Sequence, residues 1–427
     1  MQKTVSKAKN ALQGEIIVPS DKSISHRAII FSSLACGKST IKNFSDGQDP
    51  KSTLNIFKKL GVEIEQDNDC LTVISNGKLN PSSNILDCGN SGTTMRLLAG
   101  VLAGQNFNSV LSGDLSLSNR PMKRIIEPLS LMGAKIDSDN YKAPLKIYGR
   151  DLNSIDYKSK ISSAQVKSCV LLAGLNTKDF GVTKFTEPYL SRNHTELMLK
   201  SMGADIISEG TSAAIRSSKL EPIKMTIPGD VSSAAFFIAA GLIVPNSKII
   251  LRNVGLNPTR TGIIEVAKQM GGNIKILDKR EVCGEYVGDI QVEYSELHSC
   301  EISGEIIPKL IDEIPVLAVL ATQAQGETII KDAQDLRNKE SDRIKTIVSE
   351  LKKLGADIEE TEDGMIIRGK LNLKGGHKVR TYNDHRIAMS LYVAGLICEK
   401  EILINEFEWV NISFPEFEYL IEKLNNK

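Results

Sequence analysis

Ser20-Asp21-Lys22-Ser23-Ile24-Ser25-His26-Arg27 places two cations and several hydroxyls between an apolar run, Ile16-Ile17-Val18-Pro19, and an apolar helical pattern, Ala28-Ile29-Ile30-Phe31. Ser and Asp at that point can cap a helix. A helix N-terminus attracts anions through its free N–H groups and its dipole. With Lys22, Ser23 and Arg27 added, the stretch can hold a phosphate or a carboxylate. In isolation, a capped surface helix with two solvated cations would read the same. A second cluster, Arg337-Asn338-Lys339-Glu340-Ser341-Asp342-Arg343, spaces Lys339 and Arg343 to share a helix face if the helix has begun there. Glu340 beside them is a candidate general acid or base. Ser118-Asn119-Arg120-Pro121 sets an Arg ahead of a helix-opening Pro. Asp312-Glu313 offers two carboxylates where a base could stand. These residue types suit anion positioning and proton transfer. Cys36-Gly37-Lys38-Ser39-Thr40 resembles the end of a P-loop, but position 32 is Ser rather than Gly, and the order of helix and strand is reversed.

The elements that must carry these residues repeat. A helix ending in Leu-Gly or Met-Gly followed by a short strand recurs at Leu60-Gly61, Met132-Gly133, Met202-Gly203, Met270-Gly271 and Leu354-Gly355, roughly every seventy residues. Gly is the residue expected just past a helix, where φ is positive. Reading back from each Gly gives a unit of helix, turn, strand, helix and strand. The first copy is expected as helix 28–35, strand 39–41 and helix 51–60. The fifth is expected as 315–324, 328–330 and 341–354, and the sixth as 387–397, 401–404 and 415–424. Six polar junctions open the first helices: Ser25-His26-Arg27, Asn90-Ser91-Gly92-Thr93-Thr94, Ser162-Ser163-Ala164-Gln165, Asp230-Val231-Ser232-Ser233, Asp312-Glu313 and Asn383-Asp384-His385-Arg386. The need for caps explains their Ser, Asn and Asp. It does not explain why Lys22, Arg27, Gln165 and Arg386 gather at the same ends.

Composition sets the bounds. The chain has 427 residues, 41% apolar and 25% charged, with a net charge of +1. That length suits two domains. The charge balance gives no global field for nucleic acid. No apolar run approaches the ~18–20 residues of a membrane span, and the N-terminus lacks a signal-peptide pattern. Seven scattered Cys without a CxxC pair and five His without a cluster argue for reduced thiols and no metal site. A cytosolic setting and no structural or catalytic metal are expected.

Asp21-Lys22-Ser23-Ile24-Ser25-His26-Arg27, Gly89-Asn90-Ser91-Gly92-Thr93-Thr94-Met95-Arg96, Asn119-Arg120-Pro121-Met122, Ser163-Ala164-Gln165, Lys339-Glu340-Ser341-Asp342-Arg343 and Asp384-His385-Arg386 together resemble the 5-enolpyruvylshikimate-3-phosphate synthase family. The match runs in order over essentially the whole chain, in a form closer to the class II bacterial branch. The resemblance implies an α/β fold of two inside-out barrel-like domains, each of three βαβαββ repeats, with the active site in the interdomain cleft. One domain would span 20–228 and carry mainly the shikimate 3-phosphate side. The other would join 1–19 to 229–427 and carry much of the phosphoenolpyruvate site. The implied reaction moves the enolpyruvyl group of phosphoenolpyruvate to the 5-hydroxyl of shikimate 3-phosphate through a tetrahedral intermediate, without a cofactor, in a monomer. By the same resemblance Asp312, Glu340 and Lys22 are catalytic. Lys22, Ser23, Arg27, Ser163, Ala164, Gln165, Thr186, Arg192, Asp312 and Lys339 bind shikimate 3-phosphate. Lys22, Asn90, Gly92, Arg120, Gln165, Arg343 and Arg386 bind phosphoenolpyruvate.

Two features depart from the family pattern. Val410-Asn411-Ile412-Ser413-Phe414-Pro415 lacks the Lys that the other branch carries there, and the family's sugar-phosphate Ser falls at Thr186. Two alternatives remain beside this reading. An enolpyruvyl transferase acting on UDP-N-acetylglucosamine would be expected to carry a reactive Cys on a mobile loop, and neither Cys70 nor Cys88 lies in such a setting. A non-catalytic anion-binding protein on the same repeats would gain nothing from carboxylates facing an anionic ligand.

Overall fold

The five Leu/Met-Gly corners end helices in one way. In a computed structural model of the chain, which describes residues 1–179, 181–370 and 372–425, Gly61, Gly133, Gly203, Gly271 and Gly355 all have φ between 84° and 96°. The next residue's N–H reaches back to close the helix, as from Val62 to Phe57 O at 3.0 Å and from Ala356 to Leu351 O at 3.1 Å. The preceding Leu60, Met132, Met202, Met270 and Leu354 are all fully buried. Each corner therefore anchors a helix end to a core and turns the chain into the next strand.

The repeat folds as strand, helix, strand, helix, strand, strand. In the third copy Asp156–Lys158 runs parallel to Val182–Thr186, which pairs antiparallel with Ser212–Arg216, itself antiparallel to Ile206–Glu209. Among the described residues there are five four-stranded sheets and one of three strands. Two sheets borrow a strand. Lys224–Thr226 precedes the fourth copy's first helix, Val231–Ile243, but pairs with Cys36–Lys42 of the first copy. Gln13–Ile17 precedes the first copy's first helix, Lys22–Leu34, but pairs with Lys248–Gly255 of the fourth. The sixth copy's pair, Lys378–Arg380 and Ile402–Asn405, is completed by the chain's own first strand, Gln2–Val5.

The chain divides into two compact units. One comprises Ser20–Pro228 and the short return Glu281–Glu285; the other comprises Met1–Pro19, Gly229–Arg280 and Tyr286–Lys427. The return groups with the first unit because Glu285 Oε1 lies 2.6 Å from His194 Nδ1, both groups being buried, and Ser201 Oγ donates to Cys283 O. Each unit has its own apolar core. At its centre stand the repeats' first helices rather than the sheets. Ile314–Thr322 and His385–Gly395 are buried along their whole length and pack with Val231–Ile243. Gly92–Ala103 packs on Ala164–Gly174 so closely that a Cβ on Gly100 would stand 2.2 Å from Cys169 O. Among the described residues no helix is long and apolar enough to cross a membrane.

Several helix starts differ from the sequence expectation. The first helix begins at Lys22 rather than 28, because the Asp21 carboxylate accepts the Ile24 N–H at 2.7 Å. Ser25, His26 and Arg27 therefore lie past the first turn and are buried. The helix expected at 341–354 is Arg343–Lys353, capped by Asp342, and Lys339 precedes it in extended backbone. Lys339 and Arg343 thus do not share a helix face.

Candidate functional site

In the unit built on Ser20–Pro228, three first-helix N-termini carry the expected residues. Lys22 opens the first helix and its Nζ lies 3.1 Å from Asp49 Oδ2. Arg27, one turn after Ser23, is buried; its Nε donates to Thr195 Oγ1 and its Nη2 to Ser168 Oγ, both at 2.8 Å, and its Nη1 to Ser23 O at 3.0 Å. Gly92 is the first residue of its helix, capped by Ser91. Two guanidiniums lie over it: an added Cβ would stand 2.8 Å from Arg96 Nη1 and 3.3 Å from Arg120 Nη1. Arg96 donates to Gln165 Oε1, and Gln165 Nε2 to Thr93 Oγ1 at 2.9 Å. Arg120 Nη2 donates to Asn90 Oδ1 at 2.9 Å, and Asn90 Nδ2 to Asp114 Oδ2 at 2.7 Å. Ser163 precedes the helix Ala164–Gly174 without making a side-chain cap bond. Thr186 ends a strand, its hydroxyl 2.8 Å from Ser212 Oγ, and Arg192 is half-buried on the loop beyond. Fixed cations, hydroxyls and helix ends thus recur on one set of junctions, which is an arrangement for anions.

Behind these junctions runs a buried chain of hydrogen bonds. His26 Nδ1 lies 2.7 Å from Thr53 Oγ1, which lies 2.7 Å from Thr94 Oγ1, which donates to Ser91 Oγ at 2.7 Å. Burial lowers the His26 pKa from 6.5 to about 3; Asp49 pulls it up, and Lys22 and Arg27 push it further down. The native imidazole is therefore neutral, while the unfolded chain takes up a proton below pH 6.5. Stability falls with pH through that window at about 1.4 kcal/mol per unit. His26→Asn is expected to flatten this dependence, by about 2 kcal/mol between pH 6.5 and 5. Urea unfolding at those two pH values checks it; an unchanged difference would contradict the buried neutral imidazole.

In the unit built on Gly229–Lys427 the arrangement is inverted, with carboxylates outnumbering cations. Arg343, fully buried, donates from Nε to Asp384 Oδ2 at 2.8 Å, from Nη1 to Asp312 Oδ1 at 3.1 Å and from Nη2 to Glu340 Oε2 at 2.5 Å. Burial opposes its charge, but Asp384, Glu340 and Asp312 outweigh burial and raise its pKa further. Lys339 Nζ lies 3.8 Å from Asp312 Oδ1 and 3.3 Å from Asp335 Oδ2. Arg386 follows the N-cap Asp384; its Nη1 lies 3.3 Å from Asp312 O and 3.7 Å from Glu313 Oε1. One buried guanidinium thus holds three carboxylates, Asp312, Glu340 and Asp384, around it.

Hydrogen bonds and ion pairs join Asp312, Lys339, Glu340, Arg343 and Arg386 in one unit, and in the other Arg96 and Arg120 lie over Gly92 and bond Gln165 and Asn90. The structure also adds four that sequence reasoning left out of the site. Arg96, one turn past Gly92, was legible from helical spacing alone. Asp384 was read as a cap and also holds Arg343. Asp49 on Lys22 and Glu187 on the Ser163 amide are pairings between distant segments, for which no local signal exists. The stretch without the other branch's Lys lies at the end of a 3-10 helix, Phe407–Ile412, followed by the buried Phe414. Cys88 is buried, and that burial pushes its thiol well above the ordinary range.

Comparison with known proteins agrees over the full length. The sequence model of the family described as EPSP synthase (3-phosphoshikimate 1-carboxyvinyltransferase) matches residues 6–421. The chain is 51% identical over 423 residues to the 3-phosphoshikimate 1-carboxyvinyltransferase of Bacillus licheniformis, covering 98% of each. It is similar to the solved EPSP synthase of Acinetobacter baumannii, with a TM-score of 0.88 and 41% identity over 99% of this chain and 98% of that one. The enolpyruvyl transferase NikO of Streptomyces tendae shares the fold at 17% identity, with a TM-score of 0.78 over 99% and 97% of the two chains. The chain belongs to the EPSP synthase family, the 3-phosphoshikimate 1-carboxyvinyltransferases.

Proposed function

We infer that the chain transfers the enolpyruvyl group of phosphoenolpyruvate to the 5-hydroxyl of shikimate 3-phosphate, releasing phosphate, in the shikimate pathway to aromatic amino acids. The two substrates carry about five to six negative charges between them. Lys22, Arg27, Arg120, Lys339, Arg343 and Arg386 supply six cations to meet them. In this reading Lys22, Ser23, Arg27, Ser163, Ala164, Gln165, Thr186 and Arg192 hold the sugar phosphate, with Asp312 and Lys339. Lys22, Asn90, Gly92 and Arg120, with Gln165, Arg343 and Arg386, hold phosphoenolpyruvate. In this reading the 20–228 unit mainly serves shikimate 3-phosphate.

The observation that carries the catalytic assignment is the Arg343 clamp on both Asp312 and Glu340. Asp312 accepts the 5-hydroxyl proton as that oxygen bonds to C2 of phosphoenolpyruvate. Glu340, with Lys22, protonates C3, making a methyl group on a tetrahedral carbon that still bears the phosphate. Breaking the C2–phosphate oxygen bond, with the proton held by Asp312 passing to the leaving phosphate, and returning a methyl proton to Glu340 and Lys22 gives the enol ether and phosphate. The rate enhancement rests on proton transfer and on fixed charges around the developing anion.

The test is hydrogen exchange. Reversible addition makes a methyl group, so the vinyl hydrogens of phosphoenolpyruvate are expected to exchange with D2O when shikimate 3-phosphate is present, at a rate cut at least a hundredfold by Glu340→Gln. Undiminished exchange in that variant would remove Glu340 from the proton path. Gly92→Ala tests the donor site: its Cβ must displace Arg96 and Arg120. A rise of about tenfold in KM for phosphoenolpyruvate is expected, with KM for shikimate 3-phosphate changed less than about threefold. Equal effects on both substrates would contradict the assignment. We also read the chain as a cytoplasmic monomer; a dimer mass in light scattering would overturn the monomer.

A further inference from the structure

A buried ionic cluster lies behind the junction that opens the third repeat. Lys167, fully buried in the helix Ala164–Gly174, has its Nζ 2.8 Å from Glu187 Oε1 and 2.8 Å from Glu196 Oε1. The two carboxylates are not equivalent. Glu187 Oε2 accepts the Ser163 N–H at 3.1 Å, and its Oε1 accepts both the N–H and the hydroxyl of Ser191 at 2.8 Å. The Tyr189 N–H, on the same loop, donates to Ser162 Oγ at 2.8 Å. Glu196 shares the lysine, but among the described residues it accepts no hydrogen bond from Ser163 or Ser191.

A carboxylate buried within two residues of an anion site is costly unless it is paired and hydrogen-bonded. Glu187 follows Thr186 and comes five residues before Arg192. It spends Oε2 on the backbone amide of the helix N-cap Ser163, whose side chain makes no cap bond of its own. We propose that Glu187 is a positioning residue for shikimate 3-phosphate: it sets the geometry of Ser163 and of the Thr186–Arg192 loop and does not touch the substrate. The inference rests on the reading above that Ser163, Thr186 and Arg192 contact the sugar phosphate.

Glu196 is the internal control, because Glu187→Gln and Glu196→Gln each remove one partner of Lys167 and only the first disturbs the Ser163 amide. Both variants are expected to melt at lower temperature. Glu187→Gln is expected to raise KM for shikimate 3-phosphate about tenfold, with kcat and KM for phosphoenolpyruvate within about threefold; Glu196→Gln should leave all three unchanged. If Glu187→Gln does not fold, Glu187→Asp keeps the charge beside Lys167 but withdraws the carboxylate from Ser163, and should show the same rise. The same KM for shikimate 3-phosphate in the Glu187 and Glu196 variants would reduce the cluster to a structural ion pair and overturn the proposal. Ser163→Ala separates the two readings. A rise there without one in the Glu187 variants overturns the positioning role. A rise in the Glu187 variants without one in Ser163→Ala strikes the Ser163 hydroxyl contact and leaves the positioning role standing.

Discussion

Asp312→Asn is expected to lower kcat by about 10²–10⁴ while leaving KM for both substrates within a few-fold. The asparagine keeps an oxygen for Arg343 Nη1, which stands 3.1 Å from the carboxylate, so the surroundings have little reason to move. What it loses is the ability to accept a proton from the 5-hydroxyl. Removing the acceptor raises the barrier of the addition step only, so the effect should appear in kcat rather than in binding. Single-turnover mixing with saturating substrates checks this by reading the addition step apart from product release. A variant with kcat within tenfold of the parent would take Asp312 out of the base role and leave it as a partner of Arg343 and Lys339.

Arg343→Met is expected to be the most damaging single change to stability and binding together. The guanidinium is buried among Asp312, Glu340 and Asp384, and its removal strands three carboxylates. Breaking a buried pair in this way costs about 3–5 kcal/mol. If Arg343 holds the donor and clamps the proton-transfer groups as proposed, KM for phosphoenolpyruvate should rise by two orders of magnitude or more. Arg343→Lys restores the charge but cannot reach three carboxylates in a planar fork, so it should recover part of the stability and little of the binding. Urea unfolding and steady-state kinetics on the same preparations separate the two effects. Full binding in the lysine variant would show that charge alone is needed.

The sequence and the structure agree most closely where geometry is local. The five Leu/Met-Gly corners were legible because a positive φ after a helix favours Gly and because the residue before it must be buried. The repeat count followed from them. Helix starts were less legible where polar residues are buried: Ser25, His26 and Arg27 look like a junction by composition, but they lie inside a helix that opens at Lys22. The strand borrowing was out of reach. Lys224–Thr226 joins Cys36–Lys42 across almost the whole unit, and nothing in a three-residue strand specifies a partner that far away. The site residues follow the same division. Gly92, Gln165 and Arg386 stand at helix starts that the repeat predicts, Lys22 stands at one that opens six residues before its expected place, and Arg343 stands at the capped start of a second helix. Asp49, Glu187 and the second role of Asp384 come from side chains meeting across the fold.

The most direct test of the account is phosphate release from phosphoenolpyruvate, followed with and without shikimate 3-phosphate, for the parent chain beside Asp312→Ala and Lys22→Ala. Release that requires shikimate 3-phosphate and collapses in both variants is the expected result, and it would join acceptor and site in one experiment. Release that instead requires UDP-N-acetylglucosamine, or no release with either acceptor despite binding of both anions, would contradict it.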